Sequence, residues 1–246
     1  MSANTVYLIT GANRGIGKGL TATYLARDNT TVIAAVRNVA SADSLNDLPK
    51  GQGSSLVVVP LDSSDEQGPA KAVQLLLSKG INHIDVVIAN AGISDDSSPI
   101  ATLSGSVIKQ HVAVNAYGPL FLFQAVLPLL NQSKNPKFVA LGSPIGSIGN
   151  MESRPFQMSA YGISKAVLHY ILRKIHFEHA NISSFPVDPG FVQTDMGNAG
   201  AAMFGLKEAT TTIEDSVNYV VSTIDGATKD KTSGRFPTIE GGEFAW

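Results

Sequence analysis

Tyr161 and Lys165 stand four residues apart in the segment SAYGISKAVLHYILRK (159–174). On a helix that spacing puts both side chains on one face, one turn apart. Such a pair suits proton transfer to an oxygen that is gaining negative charge. The phenol supplies a hydrogen bond and then a proton, but an ordinary phenol, with a pKa near ~10, is poorly matched to neutral pH. A neighbouring ammonium favours the phenolate and so lowers the phenol's pKa.

Near the other end of the chain, VYLITGANRGIGKGL puts Gly11, Gly15 and Gly17 directly after an apolar run and at the start of a helical one. Glycine is needed where a backbone turns tightly and lies against a pyrophosphate. A helix N-terminus then offers free N–H groups and a favourable dipole. The spacing is GxxxGxG rather than GxGxxG, and no GK[ST] follows, so this is not a Walker loop. At the end of the next apolar run, where the adenosine ribose is normally read, AAVRN offers Arg37 and no carboxylate. An Asp there would bond a free 2′-hydroxyl, whereas an Arg suits a 2′-phosphate by charge and by its planar fork of donors. Arg14, inside the loop, is placed to face the same phosphate. The prediction is NADP(H) rather than NAD(H).

These groups need a scaffold that brings them together. Short β-branched runs at 6–10, 31–36, 56–60, 85–90, 137–141, 182–187 and 234–239 alternate with helical stretches at 17–27, 65–79, 104–130, 159–179 and 212–224. A break is expected in the third helix near Gly118-Pro119. The strands are continuously apolar, as in a parallel sheet covered on both faces. The pattern predicts a Rossmann-type, doubly wound α/β fold: a parallel sheet of about seven strands in a three-layer α/β/α sandwich, one domain over 1–246. Residues 143–158 and 191–211 lack clean periodicity. In open α/β sheets ligands bind beyond the carboxyl ends of the strands, so these two segments are the expected substrate loops.

Composition narrows the function. With 43% hydrophobic residues in 246, the chain can bury a substantial core, and a net charge of −2 without charged blocks suggests neither nucleic acid nor an anionic membrane surface. No cysteine is present, and the five histidines show neither HxxxH nor HxxE spacing, so no metal site is expected. The apolar run PLFLFQAVLPLL (119–130) is shorter than the ~20 residues of a membrane span. The N-terminal segment lacks the basic region of a signal peptide. A cytoplasmic protein is the expectation.

With these residues in view, the sequence resembles the short-chain dehydrogenase/reductase family, in its compact single-domain branch, over nearly its whole length. TGANRGIG (10–17) fits the family's glycine loop and carries Asn13 and Ile16 between the glycines. Asp62 in PLDSSD fits the family's Asp after the third strand, and Asn90, Ala91 and Gly92 form the NAG that follows the fourth. Asn115 in VAVNAYGP fits the helix asparagine of the catalytic tetrad, YGISK (161–165) its YxxxK, and DPGFVQTDM (188–196), with Pro189, Gly190, Val192 and Thr194, its nicotinamide-side segment. GSPIGSIG and the tail GRFPTIEGGEFAW further resemble C-factor-like and sniffer-like carbonyl reductases and fungal norsolorinic-acid-ketoreductase-like enzymes.

The resemblance implies roles. Tyr161 is the acid, Lys165 also holds the nicotinamide ribose, Asn115 anchors a water beside that lysine, and a serine orients the substrate oxygen. In much of the family that serine stands where this chain has Ile148, which leaves Ser143 and Ser147 as candidates. Ser143 directly follows the apolar strand and Gly142, whereas Ser147 would require a strand running through Pro144, which cannot donate to an interior ladder. Ser143 is therefore the choice, followed by a longer loop. Asp62 either supports the adenine side or caps a helix beginning near Asp65. Asn90 either supports the same side or satisfies backbone at the bend. The histidines at 111, 169, 176 and 179 read as surface or packed residues.

The expected reaction is NADPH-dependent reduction of a ketone or aldehyde. Met151, Pro155, Phe156 and Met158, with Met196, Met203, Phe204 and Leu206, suggest a soft apolar lining and a hydrophobic or aromatic substrate. Arg154, the one anion handle there, is expected to point to solvent. A cofactor-sensing protein without turnover and an alcohol dehydrogenase working oxidatively are the competing readings; the complete tetrad disfavours the first. Family analogy implies a homodimer or homotetramer, through helices 104–130 and 159–179.

Overall fold

Six apolar segments become parallel strands: β1 (Thr5–Thr10), β2 (Thr30–Val36), β3 (Ser55–Pro60), β4 (Val86–Ala89), β5 (Lys137–Leu141) and β6 (Ser183–Val187). The structure, a computed structural model, describes residues 4–246. The strands form one sheet in the order β3-β2-β1-β4-β5-β6, every neighbouring pair parallel. The chain winds outward from β1 in one direction and from β4 in the other. The crevice at the carboxyl ends of β1 and β4 is thus the topological switch point, where ligands bind in such sheets.

The sheet has two cores because successive side chains of a strand point to opposite faces. Val6 and Leu8 join one cluster with Leu76, Leu122, Phe123 and Leu168. Tyr7 and Ile9 join the other with Leu20, Tyr24, Val220 and Ile224. The helices that supply these residues are α1 (Gly15–Leu25), α2 (Gly68–Ser78), α3 (Gly105–Val112), α4 (Gly118–Leu130), α5 (Ser159–Glu178), α6 (Asp195–Met203) and α7 (Ile213–Gly226). α2, α4 and α5 cover the first face, and α1 and α7 the second.

Four features depart from the sequence expectation. Residues 234–239 do not form a seventh strand; they make only isolated bridges, Asp188 to Thr238 and Pro237 to Glu243. Pro237 has no N–H to donate to a ladder. The segment 191–211 is not wholly irregular, since α6 occupies its middle. Thr194 caps α6 by accepting Gly197 N at 3.1 Å, and Asp195 lies in its first turn. The helical segment at 65–79 begins only at Gly68, because Asp62 and Asp65 first form side-chain turns with Ser64 N and Gln67 N. Finally, no break occurs at Gly118-Pro119: α3 runs into α4 through a π turn over Ala113–Tyr117. The continuous run Gly105–Leu130 is long and apolar enough to cross a bilayer by length and composition. Here its Ala116, Leu122, Phe123, Val126, Leu129 and Leu130 lie in the first core.

Candidate active site

β1 ends in the glycine loop. Gly11 and Gly15 have φ of +64° and +51°, which side chains with a Cβ resist. Gly17 faces a closer restriction: a Cβ there would sit 2.2 Å from Gly11 O and 2.5 Å from Asn90 Nδ2. Arg14 is the extended N-cap residue of α1, and its side chain does not cap the helix. The first N–H groups of α1 are left without a side-chain acceptor, beside a loop with no Cβ to fill it. This is a cradle for a phosphate, and a dinucleotide fits the residues present.

The loop is braced from β4. Asn90 Nδ2 donates to Thr10 O at 2.7 Å and Gly11 O at 3.2 Å, while Thr10 Oγ1 accepts the amides of Asn90 and Ala91 at 3.0 Å each. Asn13 Nδ2 donates to Ser41 Oγ at 3.0 Å, and Ile16 packs on the second core. Thr194 closes the loop from above, with its Cγ2 3.1 Å from where a Gly15 Cβ would be.

On the adenine side, Arg37 follows β2 and is exposed. Asp62 lies near enough to feel its charge. Asp62 accepts Ser64 N and Oγ at 2.9 and 2.7 Å, and these bonds hold its carboxyl below the usual range. It caps no helix, since α2 begins six residues later at Gly68. Arg14 does not join Arg37: its guanidinium pairs with Asp195 at 3.3 Å, both side chains well exposed. An exposed pair of this kind is worth at most about 1 kcal/mol, so a stronger anion would displace it.

The other half of the site collects around α5. Lys165, 6% exposed, donates to Leu141 O at 2.7 Å, and its Nζ lies 5.4 Å from the centre of the Tyr161 ring. Ser143, 7% exposed, stands at the end of β5. Its hydroxyl acts on the Tyr161 phenol and lowers its pKa. Ser147 lies elsewhere: its Oγ donates to Ala245 O at 2.6 Å and Asn150 Oδ1 at 3.1 Å, which ties it to the tail. Asn115 sits in the π turn, a feature frequent at functional sites. Its Oδ1 accepts Ile93 N at 2.8 Å, and its Nδ2 donates to Ile93 O and Ser164 Oγ at 2.9 Å each. Gly92 passes close by, a Cβ there being 3.1 Å from Asn115 Oδ1.

The electrostatics differ from the simple expectation that Lys165 brings the phenol toward neutrality. Part of the Tyr161 side chain reaches solvent, but protein crowds its hydroxyl. Desolvation pushes its pKa up to about 12; Ser143 opposes this, and the charge of Asp188 adds to it. Lys165 is pulled down to about 8 by desolvation. Burial, not the lysine charge, dominates the phenol.

Two residues beyond the sequence candidates belong to this neighbourhood. Asp188, buried at the end of β6, accepts Thr238 Oγ1 at 2.8 Å and Gly190 N at 3.2 Å and so shapes the Pro189-Gly190 turn. Desolvation raises its pKa. His169, on α5, accepts Ser143 N through Nε2 at 3.4 Å. His169 and His111 are packed residues.

Beyond these groups the two substrate segments meet. The rings of Phe156 and Phe204 lie 5.0 Å apart. With Ser97, Pro155, Gln157 and Met203 they line a cleft of about 380 Å³. Met151, Met158, Met196 and Leu206, expected in the same lining, are not among its walls. Arg154 does not point freely to solvent: its guanidinium donates to Glu240 at 2.7 Å and lies over the Phe244 ring at 5.7 Å. Val192, buried, pairs its O with Thr194 N at 2.6 Å and so sets the start of α6.

Known proteins give the same arrangement a family. Residues 5–203 match the short chain dehydrogenase family. The norsolorinic acid ketoreductase of Dothistroma septosporum is 50% identical, over 98% of this chain and 92% of its own. That of Emericella nidulans is 45% identical, over 98% of this chain and 94% of its own. An NADPH-bound carbonyl reductase from chicken fatty liver superposes with a TM-score of 0.84 at 27% identity, over the whole of both chains. The carbonyl reductase Sniffer of D. melanogaster shares the fold, with a TM-score of 0.82 at 23% identity over the whole of both chains. The family match takes in all six strands and the helix bearing Tyr161 and Lys165, and the chain therefore belongs to the short-chain dehydrogenase family of oxidoreductases.

Proposed function

We propose that the protein is an NADPH-dependent ketoreductase acting on a hydrophobic, aromatic ketone, with Tyr161 as the general acid. The observation that carries this is the convergence of Ser143, Tyr161 and Lys165 at the carboxyl end of the sheet, which also forms the glycine cradle. The α1 N-terminus and the glycine loop would hold the pyrophosphate, Arg37 a 2′-phosphate, and Pro189 to Thr194 the nicotinamide side. Bound NADPH supplies the hydride.

At neutral pH the phenol, with a pKa of about 12, is protonated and ready to donate. Ser143 orients the carbonyl oxygen with a hydrogen bond. As that oxygen takes on charge, Tyr161 hydrogen-bonds it and releases its proton. The phenolate left in desolvated surroundings is the costly species, and the Ser143 hydroxyl and the Lys165 charge stabilise it there. Proton return runs along Lys165. Both side-chain amide atoms of Asn115 are engaged by protein partners, which ties the π turn to α5 through Ser164.

The Phe156–Phe204 cleft favours a flat, apolar substrate, and the names of the fungal relatives make norsolorinic acid the first compound to try. A homo-oligomer, joined through α4 and α5, is part of the same reading. These helices flank a largely apolar groove of about 330 Å³, which includes Leu120, Phe123, Tyr170 and Ile171. The deciding experiment is NADPH consumption, followed at 25 °C, against norsolorinic acid, other aromatic ketones, aliphatic aldehydes and small hydrophilic ketoacids. Turnover of aromatic ketones is expected; activity on the ketoacids alone would contradict the reading.

A further inference from the structure

The imidazole of His169 lies between the proposed catalytic serine and an aromatic cluster, and it is chemically more than packing. α5 carries Tyr161, Lys165 and His169 at successive four-residue steps, so all three project toward one side. His169 is 3% exposed. Its ring lies 4.5 Å from that of Phe236 and 6.4 Å from that of Trp246. The backbone just before Ser143 rests on this surface: a Cβ on Gly142 would fall 2.8 Å from Phe236 Cε2 and 3.0 Å from His169 Nε2.

Gly142 N continues the sheet by donating to Val187 O at 2.8 Å, but Ser143 has already left the ladder. Among the described residues, the acceptor for the Ser143 N–H is His169 Nε2, at 3.4 Å. A leucine or phenylalanine here would fill the space and leave that buried amide unpaired. We propose that His169 is a positioning residue: its neutral ring accepts the Ser143 amide through Nε2 and thereby fixes where the serine hydroxyl stands relative to Tyr161. This rests on the reading of Ser143 and Tyr161 as the catalytic pair.

The assignment fixes the tautomer. If Nε2 accepts, the ring proton is on Nδ1, which is buried and, among the described residues, makes no hydrogen bond of good geometry. Desolvation first, and the Lys165 charge second, lower the His169 pKa to about 3, against a smaller opposing pull from the Gly146 backbone. The ring therefore stays neutral, and an acceptor, at any pH near neutrality.

Two experiments test this. Long-range ¹H–¹⁵N correlation on the wild-type protein reads the tautomer without reference to activity. The expected result is a proton on Nδ1 and a bare Nε2; a proton on Nε2 overturns the proposal, since that atom could not then accept. The second is a double-mutant cycle on ketone reduction. His169→Leu should lower kcat about tenfold with KM for NADPH within about twofold, and His169→Gln, which keeps an acceptor at similar reach, should recover most of the loss. In a Ser143→Ala background, His169→Leu should have almost no further effect. An equal loss in both backgrounds, or no recovery with Gln, would show a role not exercised through the serine. If the wild type reduces no carbonyl compound, the proposed function fails, and the tautomer still decides the contact.

Discussion

Lys165 is a residue that the protein should be more stable without. Its ammonium is buried, and desolvation draws its pKa from 10.5 to about 8. At about 1.4 kcal/mol per pH unit, that drop corresponds to roughly 3 kcal/mol against the folded state at neutral pH. Replacing Lys165 with Met keeps most of the stem's volume and removes the charge. It also removes the hydrogen bond to Leu141 O, and an unpaired buried carbonyl costs about 1–3 kcal/mol. The net expectation for Lys165→Met is a gain of about 0–2 kcal/mol at pH 7, a Tm higher by up to roughly 8 °C for a domain of this size.

The sign reverses with pH, which separates this effect from any general improvement in packing. Below pH 8 the wild-type lysine is charged in both states, and the folded protein bears the whole desolvation cost. Between about 8 and 10.5 the unfolded chain holds the proton while the folded one does not, so wild-type stability rises with pH. Above 10.5 the lysine is neutral in both states and only the lost hydrogen bond separates the two proteins, so the variant is then the weaker. Thermal unfolding of both proteins without added nucleotide, from pH 7 to 10.5, should show the Tm difference shrinking above about 8 and changing sign. The same variant should lose ketone reduction. A variant less stable at pH 7, or a Tm difference that does not vary with pH, would refute the reasoning.

Three further outcomes follow from the site. Tyr161→Phe removes the acid and should reduce kcat by about 10²–10⁴ while NADPH binding, followed by fluorescence, stays largely intact; more than a few per cent residual activity would exclude Tyr161 from that role. Arg37→Asp should erase the preference for NADPH over NADH, because it replaces a donor fork with a like charge facing a 2′-phosphate; an unchanged ratio of dissociation constants would sink the assignment. Gly17→Ala should abolish nucleotide binding, its Cβ meeting Gly11 O at 2.2 Å, whereas Gly105→Ala, with nothing within 4 Å, should bind as the wild type does; equal affinities would show that the cradle is not where the cofactor lies.

The fold and the family were legible because their signals are local. Continuous apolar runs identify buried parallel strands, and Gly11, Gly15 and Gly17 answer to a backbone that no other residue fits. Ser143 could be preferred because Pro144 rules out a longer strand, and the structure sets Ser143 beside the phenol and Ser147 on the tail. What stayed hidden depends on contacts across the chain. Nothing near Asp188 says that Thr238 will hold it. A histidine amid AVLHYILRK reads as packing until the Ser143 amide is seen against it. α6 is hidden for another reason: DMGNAGAAM has no apolar period, and the helix is set by the Thr194 cap. The pKa of Tyr161 is not legible in the sequence, because spacing reveals the lysine but not the desolvation.

Parallel register explains why such distant residues arrive level. Thr10 pairs with Ala35, Ile9 with Ile88, Ala89 with Ala140, and Leu141 with Val187. Followed one step past the ladder, the same register brings Gly11, Asn90 and Leu141 to one height, with Ala91, Gly142 and Asp188 just above them. Lys165 reaches that level through Leu141 O, and Asn90 braces Gly11 across it. Because side chains alternate along a strand, sliding β5 by one residue would send Phe138 and Ala140 to the wrong face. It would also lift Ser143 off the His169 ring. Core and site therefore impose the same register: the burial that holds β5 between β4 and β6 is what places the serine. This also accounts for a site crowded with desolvated groups in a stable fold. Tyr161, Lys165, His169 and Asp188 gather above the ends of the strands, where they do not interrupt either core. The stability they cost is local, and the sheet beneath them is apolar enough to carry it.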